Sequence, residues 1–273
     1  MRYIVPAFAL VAVSTLAGCP RRGAEDQPFT QAEAREALEE AQGSAASEDL
    51  MVASVEISTS FTIGGAIENA AAELRTFLAS QLPCAEVTLE GSTLTVEYGV
   101  NPGNCTYRGH EFSGTTIVSV EANSSSDVRV HHEWIGFSNG KVTLDGTADV
   151  TWNFDDLERH VVHHAEWTHL ATGRTGIGEG DRVQRPLDGG ISEGFVVDGS
   201  RSWTGNRGRT WDLSIDGVEM RWADPVPQAG SYTLENPVGK TLSLSFSRVD
   251  SDTIQVTVTG PRGRSFSFNV NKI

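Results

Sequence analysis

Residues 141–153 read KVTLDGTADVTWN, and their alternation decides the fold. Val142, Leu144, Gly146, Ala148, Val150 and Trp152 fall on one face, while Thr143, Asp145, Thr147, Asp149 and Thr151 fall on the other. A two-residue period of this kind marks an antiparallel strand with one face in the core and one in water. Asn139-Gly140 before it tolerates the positive φ of a type I′ turn, and Asp155-Asp156 after it is a weaker turn signal. The stretch from Val128 to Leu170 is therefore expected to form three strands joined by two tight turns, and it contains six of the chain's 7 histidines.

Working outward, the same pattern recurs. Val87 to Glu90, Thr93 to Tyr98 and Gly109 to Ala122 precede the three strands; Ile191 to Trp203, Thr210 to Ile215, Val218 to Trp222, Ser231 to Leu234, Thr241 to Val249, Thr253 to Thr259 and Ser265 to Val270 follow them. Ten or more antiparallel strands cannot stay flat and open without exposing an apolar face and long edges. The expectation is a mainly β protein: a large curved antiparallel sheet, or a partly closed barrel or sandwich, with one N-terminal amphipathic helix packed on it. That helix is read over Ile63 to Leu82, where Ile67, Ala70, Ala71, Leu74, Phe77 and Leu78 share one face and Pro83 ends the run. Leu50 to Phe61 fits helix and strand equally. Thr172 to Gly190, rich in Gly and Arg and too long for a simple hairpin connection, reads as a mobile or functional loop.

The N-terminus carries an address. Arg2 and the apolar run from Tyr3 to Leu16 are too short for a permanent bilayer span and read as a secretory signal. Leu16-Ala17-Gly18-Cys19 resembles the bacterial lipobox, which implies cleavage before Cys19 and lipidation of that residue. Acyl chains contribute about 0.8 kcal/mol per buried methylene, so two or more make a stable anchor. Pro20 lacks the Asp that retains enteric lipoproteins in the inner membrane, so an outer-membrane location is expected. Residues 1–18 then form the signal and 19–47, rich in Ala, Glu, Gln, Ser and Gly, a flexible tether, leaving 48–273 as the folded domain. Within that tether Thr30 and Glu33 have the spacing of a capping box for a short helix to Gln42.

With Cys19 assigned to lipid, Cys84 and Cys105 are an even pair in an oxidising compartment, which argues for a disulfide; neither sits in a C-x-x-C motif. The net charge of −15 repels nucleic acid and anionic lipid, so nucleic acid is excluded as a partner.

Most of the mature chain resembles a group of uncharacterised outer-membrane lipoproteins of the kind predicted in myxobacteria and related soil or predatory bacteria. The resemblance rests on the lipobox, on Leu82-Pro83-Cys84, on Thr95-Val96-Glu97-Tyr98-Gly99 before Cys105, on Ser138-Asn139-Gly140 with Leu144-Asp145-Gly146, and on Asp224-Pro225-Val226-Pro227. It implies an envelope location and brings no activity with it.

Three constellations are candidates for chemistry. His131-His132-Glu133-Trp134 is echoed by His163-His164-Ala165-Glu166-Trp167. With two-residue turns at Asn139-Gly140 and Asp155-Asp156, His131 and His163 would lean over Ala148 from either side, and Glu133 would lie over Gly146. Two imidazoles and a carboxylate suit zinc or copper. One bulge would invert the parity on which this depends. Arg201, Arg207 and Arg209 with Trp203 and Trp211 could form a basic aromatic patch for a glycan or anion. Gly173, Gly176, Gly178 and Gly180 resemble a phosphate loop only in glycine content, because no strand-loop-helix context surrounds them. No G-x-S-x-G elbow occurs, and catalysis is not expected. The expected function is a structural or interaction role in the envelope, with an envelope protein as partner; the alternative is binding of a lipid or other amphiphile in a curved-sheet cavity.

Overall fold

The computed structural model describes residues 30–271 except 108, 191 and 225. The signal peptide and Cys19 lie outside the described residues.

Two helices come first: α1 (Gln31–Ile57) and α2 (Ile67–Gln81). Fifteen strands follow: β1 (Glu86–Glu90), β2 (Thr93–Tyr98), β3 (Thr106–Tyr107), β4 (His110–Glu111), β5 (Ser113–Asn123), β6 (Asp127–Ser138), β7 (Val142–Asn153), β8 (Glu158–His169), β9 (Arg174–Pro186), β10 (Gly194–Gly205), β11 (Thr210–Arg221), β12 (Ala229–Glu235), β13 (Thr241–Arg248), β14 (Thr253–Thr259) and β15 (Ser265–Asn271). All but the small β3-β4 ribbon form one 13-stranded antiparallel meander in which each strand pairs with its neighbours in sequence. The sheet is not closed into a barrel, so β1 and β15 are edges. At the β15 edge Phe266 and Phe268 are exposed. No helix among the described residues is long and apolar enough to cross a membrane.

The periodicity of α2 is as read: Ala70, Ala71, Leu74 and Leu78 are buried against β1, β2 and β5. The chain leaving it is fastened by a disulfide from Cys84 to Cys105, with Cα atoms 5.3 Å apart. Replacing both cysteines by alanine should remove about 3 kcal/mol of stability, the value expected for closing a loop of this size; urea denaturation of the double variant checks it.

The expected tether is corrected. From residue 31 onward it is helix, and α1 continues through the ambiguous stretch as far as Ile57. Its capping box is formed: the Glu33 N–H donates to Thr30 Oγ1 at 3.2 Å, and the Thr30 N–H donates to Glu33 Oε2 at 2.8 Å. Composition misleads here because α1 has almost no apolar stripe in its first half. Its small residues instead let it lie close to the sheet, and a Cβ at Gly43 would come within 2.7 Å of the Trp167 ring. Only the second half carries a conventional apolar anchor, with Leu50, Met51, Val55 and Ile57 buried.

The expected loop 172–190 is also corrected, since Arg174–Pro186 is a central strand. Gly176, Gly178 and Gly180 alternate with outward-facing Ile177, Glu179 and Asp181. A Cβ at Gly176 would collide with the Trp167 indole, at Gly178 with β10 at Ser202 and Trp203, and at Gly180 with the His163 imidazole. These glycines make room for neighbouring side chains that lean across β9.

In β7 the alternation holds, with Val142, Leu144, Ala148 and Val150 buried. The β7-β8 register is also as read, placing Ala148 opposite His163 and Thr147 opposite His164. The β6-β7 register is not. Ser138 pairs with Thr143, so the turn is centred one residue later than expected, and the register then shifts between Trp134 and Phe137. Gly136 sits in this bulge with φ 54° and donates its N–H to Asp145 Oδ1 at 2.7 Å. One extra residue turns every side chain beyond it to the opposite face.

Candidate functional site

The bulge decides where the histidines go. His132, not His131, lies opposite Ala148, so His132 and His163 flank it on the inner face. His131 points outward with Nδ1 2.7 Å from Asp149 Oδ1, and Glu133 shares that outer face. His131, Glu133 and His163 are therefore not brought together, and the expected zinc or copper site is corrected: the first two are separated from the third by the sheet. Among the described residues no group of three His, Cys, Asp or Glu side chains could hold a metal ion.

The inner face is instead a row of cations met by acids of α1. Glutamates at 33, 36, 40, 48 and 56 lie along the helix, and each meets a basic side chain of a strand or of a turn between strands. Glu33 Oε1 is 2.7 Å from Lys240 Nζ, and this bond with the backbone N–H of Thr30 holds its carboxyl down at about 2. Glu36 meets Arg207 at 3.0 Å and also Arg209. Glu40 is 2.8 Å from Arg174, which also bonds Glu39. Glu48 is paired with Arg182 and lies 3.6 Å from Arg201 and 4.0 Å from His163 Nε2. Glu56 closes the row on Arg159, whose Nε donates to Gln184 Oε1 at 2.6 Å.

Burial alone would push the Glu48 carboxyl up, but the combined fields of Arg182, His163 and Arg201 hold it below the ordinary value. Burial dominates for the two inner histidines, lowering His163 to about 4 and His132 to about 3. Both are neutral at pH 7. His132 stacks on Trp134, with ring centroids 6.1 Å apart, and neither of its ring nitrogens has a hydrogen-bond partner.

Of the expected basic aromatic patch, Trp203, Trp211 and Arg201 are largely buried and Arg201 faces Glu48 of α1, while Arg207 and Arg209 stand in the β10-β11 turn, 66% and 40% exposed, and pair with Glu36. Sequence reasoning missed Glu48, Glu56, Arg159, Arg182 and Gln184. The helical spacing of the glutamates and the two-residue step from Gly176 to Arg182 and Gln184 were the available signals.

Among the described residues, the voids found between α1 and the sheet are small, about 10 and 20 Å³. At the C-terminal end of α1 a larger cavity of about 340 Å³ opens at the rim, lined by Phe61, Val128, Trp152, Phe154 and Phe195 together with Arg159 and Gln184. Comparison with protein-family models, curated proteins and solved structures found no match for this chain.

Proposed function

We propose that the protein is a lipid-anchored, non-catalytic component of the outer-membrane envelope, attached through Cys19, with a structural or interaction role. The observation that carries this reading is the docking of α1 over the central strands β7, β8 and β9, where its glutamates meet basic side chains. A sheet face met by its own helix through ion pairs at five glutamates, with voids of only about 10 and 20 Å³ found beneath it among the described residues, offers less space there than the roughly 300–1,000 Å³ of small-ligand sites. The sheet is then a rigid support that presents its acidic exterior to an envelope partner. Palmitate labelling tests the anchor: wild type should incorporate label and Cys19→Ala should not. Equal labelling of the two would remove the anchor.

The rim cavity favours a second reading, binding of a lipid or other amphiphile beside the helix rather than within the sheet. Native mass spectrometry of protein produced without Cys19 separates the two. A reproducible adduct of lipid mass supports the binder, and a clean polypeptide mass supports the structural role.

A further inference from the structure

We propose that the rim cavity is a binding site for one hydrocarbon chain of a neutral amphiphile, such as a long-chain alcohol or a monoacylglycerol, with Leu157 as the side chain that closes over it. The proposal rests on the second reading above and gives it a place and a ligand class.

The walls supply the apolar contact. Val128 and Phe195 are buried, Trp152 and Phe154 are half-buried, and all four line a space of about 340 Å³, at the small end of ligand-binding pockets. The charges supply the selectivity. Two carboxylates and two guanidinium groups reach this cavity, and they are matched internally: Glu56 with Arg159, and Glu158 with Arg185 at 2.7 Å, Arg185 also bonding Asp198 at 3.0 Å. A charged headgroup would have to displace a member of the Glu56–Arg159 pair, whose side chains are 11% and 9% exposed, and breaking a buried pair is costly. A hydroxyl or ester oxygen asks only for a donor. A guanidinium carries five N–H groups, and the bonds to Gln184 and Glu56 engage Nε and Nη1, so Arg159 retains donors for such an oxygen.

Leu157 is the independent observation. It lines the cavity, is 66% exposed, and has φ 54°, in the left-handed region where an L side chain is strained. Folding gains nothing from a solvent-facing leucine in a strained turn. A ligand that covers this side chain would give it a use.

The test titrates purified protein with decan-1-ol, decanoate and decylammonium, following calorimetry and tryptophan fluorescence. Decan-1-ol should bind saturably at one site, and Trp152→Phe should lose the fluorescence change. Leu157→Gly should weaken binding about tenfold, since a leucine side chain's contact is lost, while thermal stability stays equal or rises because glycine relaxes the backbone. Leu157→Asn, which also tolerates this conformation, should behave alike. Tenfold tighter binding of decanoate or decylammonium would overturn the neutral class. Unchanged affinity in both Leu157 variants would overturn the site while leaving amphiphile binding standing. Absence of saturable binding by all three probes would overturn the proposal together with the reading beneath it.

Discussion

Glu48→Gln should destabilise the protein by about 3–5 kcal/mol, the range for removing one partner of a buried ion pair. Among the described residues the carboxylate is the one acid paired with Arg182 and Arg201, whose side chains are 5% and 11% exposed. Glutamine keeps the shape and one acceptor, so the loss reports charge rather than volume. The two guanidinium groups would remain beneath α1 without a counter-ion, a state whose relief is undocking of the helix. Urea denaturation measures the effect, and a double-mutant cycle with Arg182→Met separates the pair from the rest. Coupling below about 0.5 kcal/mol would mean that the pair behaves like an exposed one and does not hold α1 in place.

Stability should fall as pH drops from about 6.5 toward 4, and His132→Leu should remove much of that fall. Below about 6.5 the unfolded chain binds a proton at each histidine, whereas folded His163 stays neutral to about 4 and folded His132 to about 3. The unfolded state therefore holds more protons throughout that window, and stability declines by up to about 1.4 kcal/mol per pH unit for each residue. Glu48, whose folded pKa is lowered, acts in the same direction but at lower pH: its contribution is present above the unfolded carboxylate value of 4.5 and lost below it. At pH 7 the leucine variant should also be more stable by about 1–3 kcal/mol, because it removes a buried polar ring with no partner. Thermal melts of both proteins at pH 7, 6 and 5 give the comparison. Parallel pH profiles would show that His132 is solvated in the folded state.

The strands were legible because their evidence is local. Residues 141–153 fix both faces of β7, and the same pattern repeats along the meander; the capping box at Thr30 and the burial face of α2 are equally short-range. The candidate site was not legible, because its evidence is long-range. A helix as polar as α1 is stable only because residues 103 to 207 positions away neutralise its glutamates. Strand β9 reads as a loop until the indoles and imidazole that fill the places of its missing side chains are known. The metal trio failed on a single glycine: the bulge at Gly136 changes the parity of β6, and nothing near Gly136 in sequence distinguishes a bulge from a turn.

The meander also sets an order of assembly. Each strand finds its partner in the segment made immediately before it, so the sheet can zip together hairpin by hairpin as the chain emerges, with little entropy of loop closure at each step. The N-terminal helix is synthesised first and completed last. Lys240, which receives Glu33, lies on the turn leading into β13, so the front of α1 cannot seat until the twelfth strand has formed. The partners of α1 are made in the reverse order of its glutamates at its two ends, Arg159 for Glu56 first and Lys240 for Glu33 last, so the helix can be fastened from its C-terminal end forward as the sheet grows.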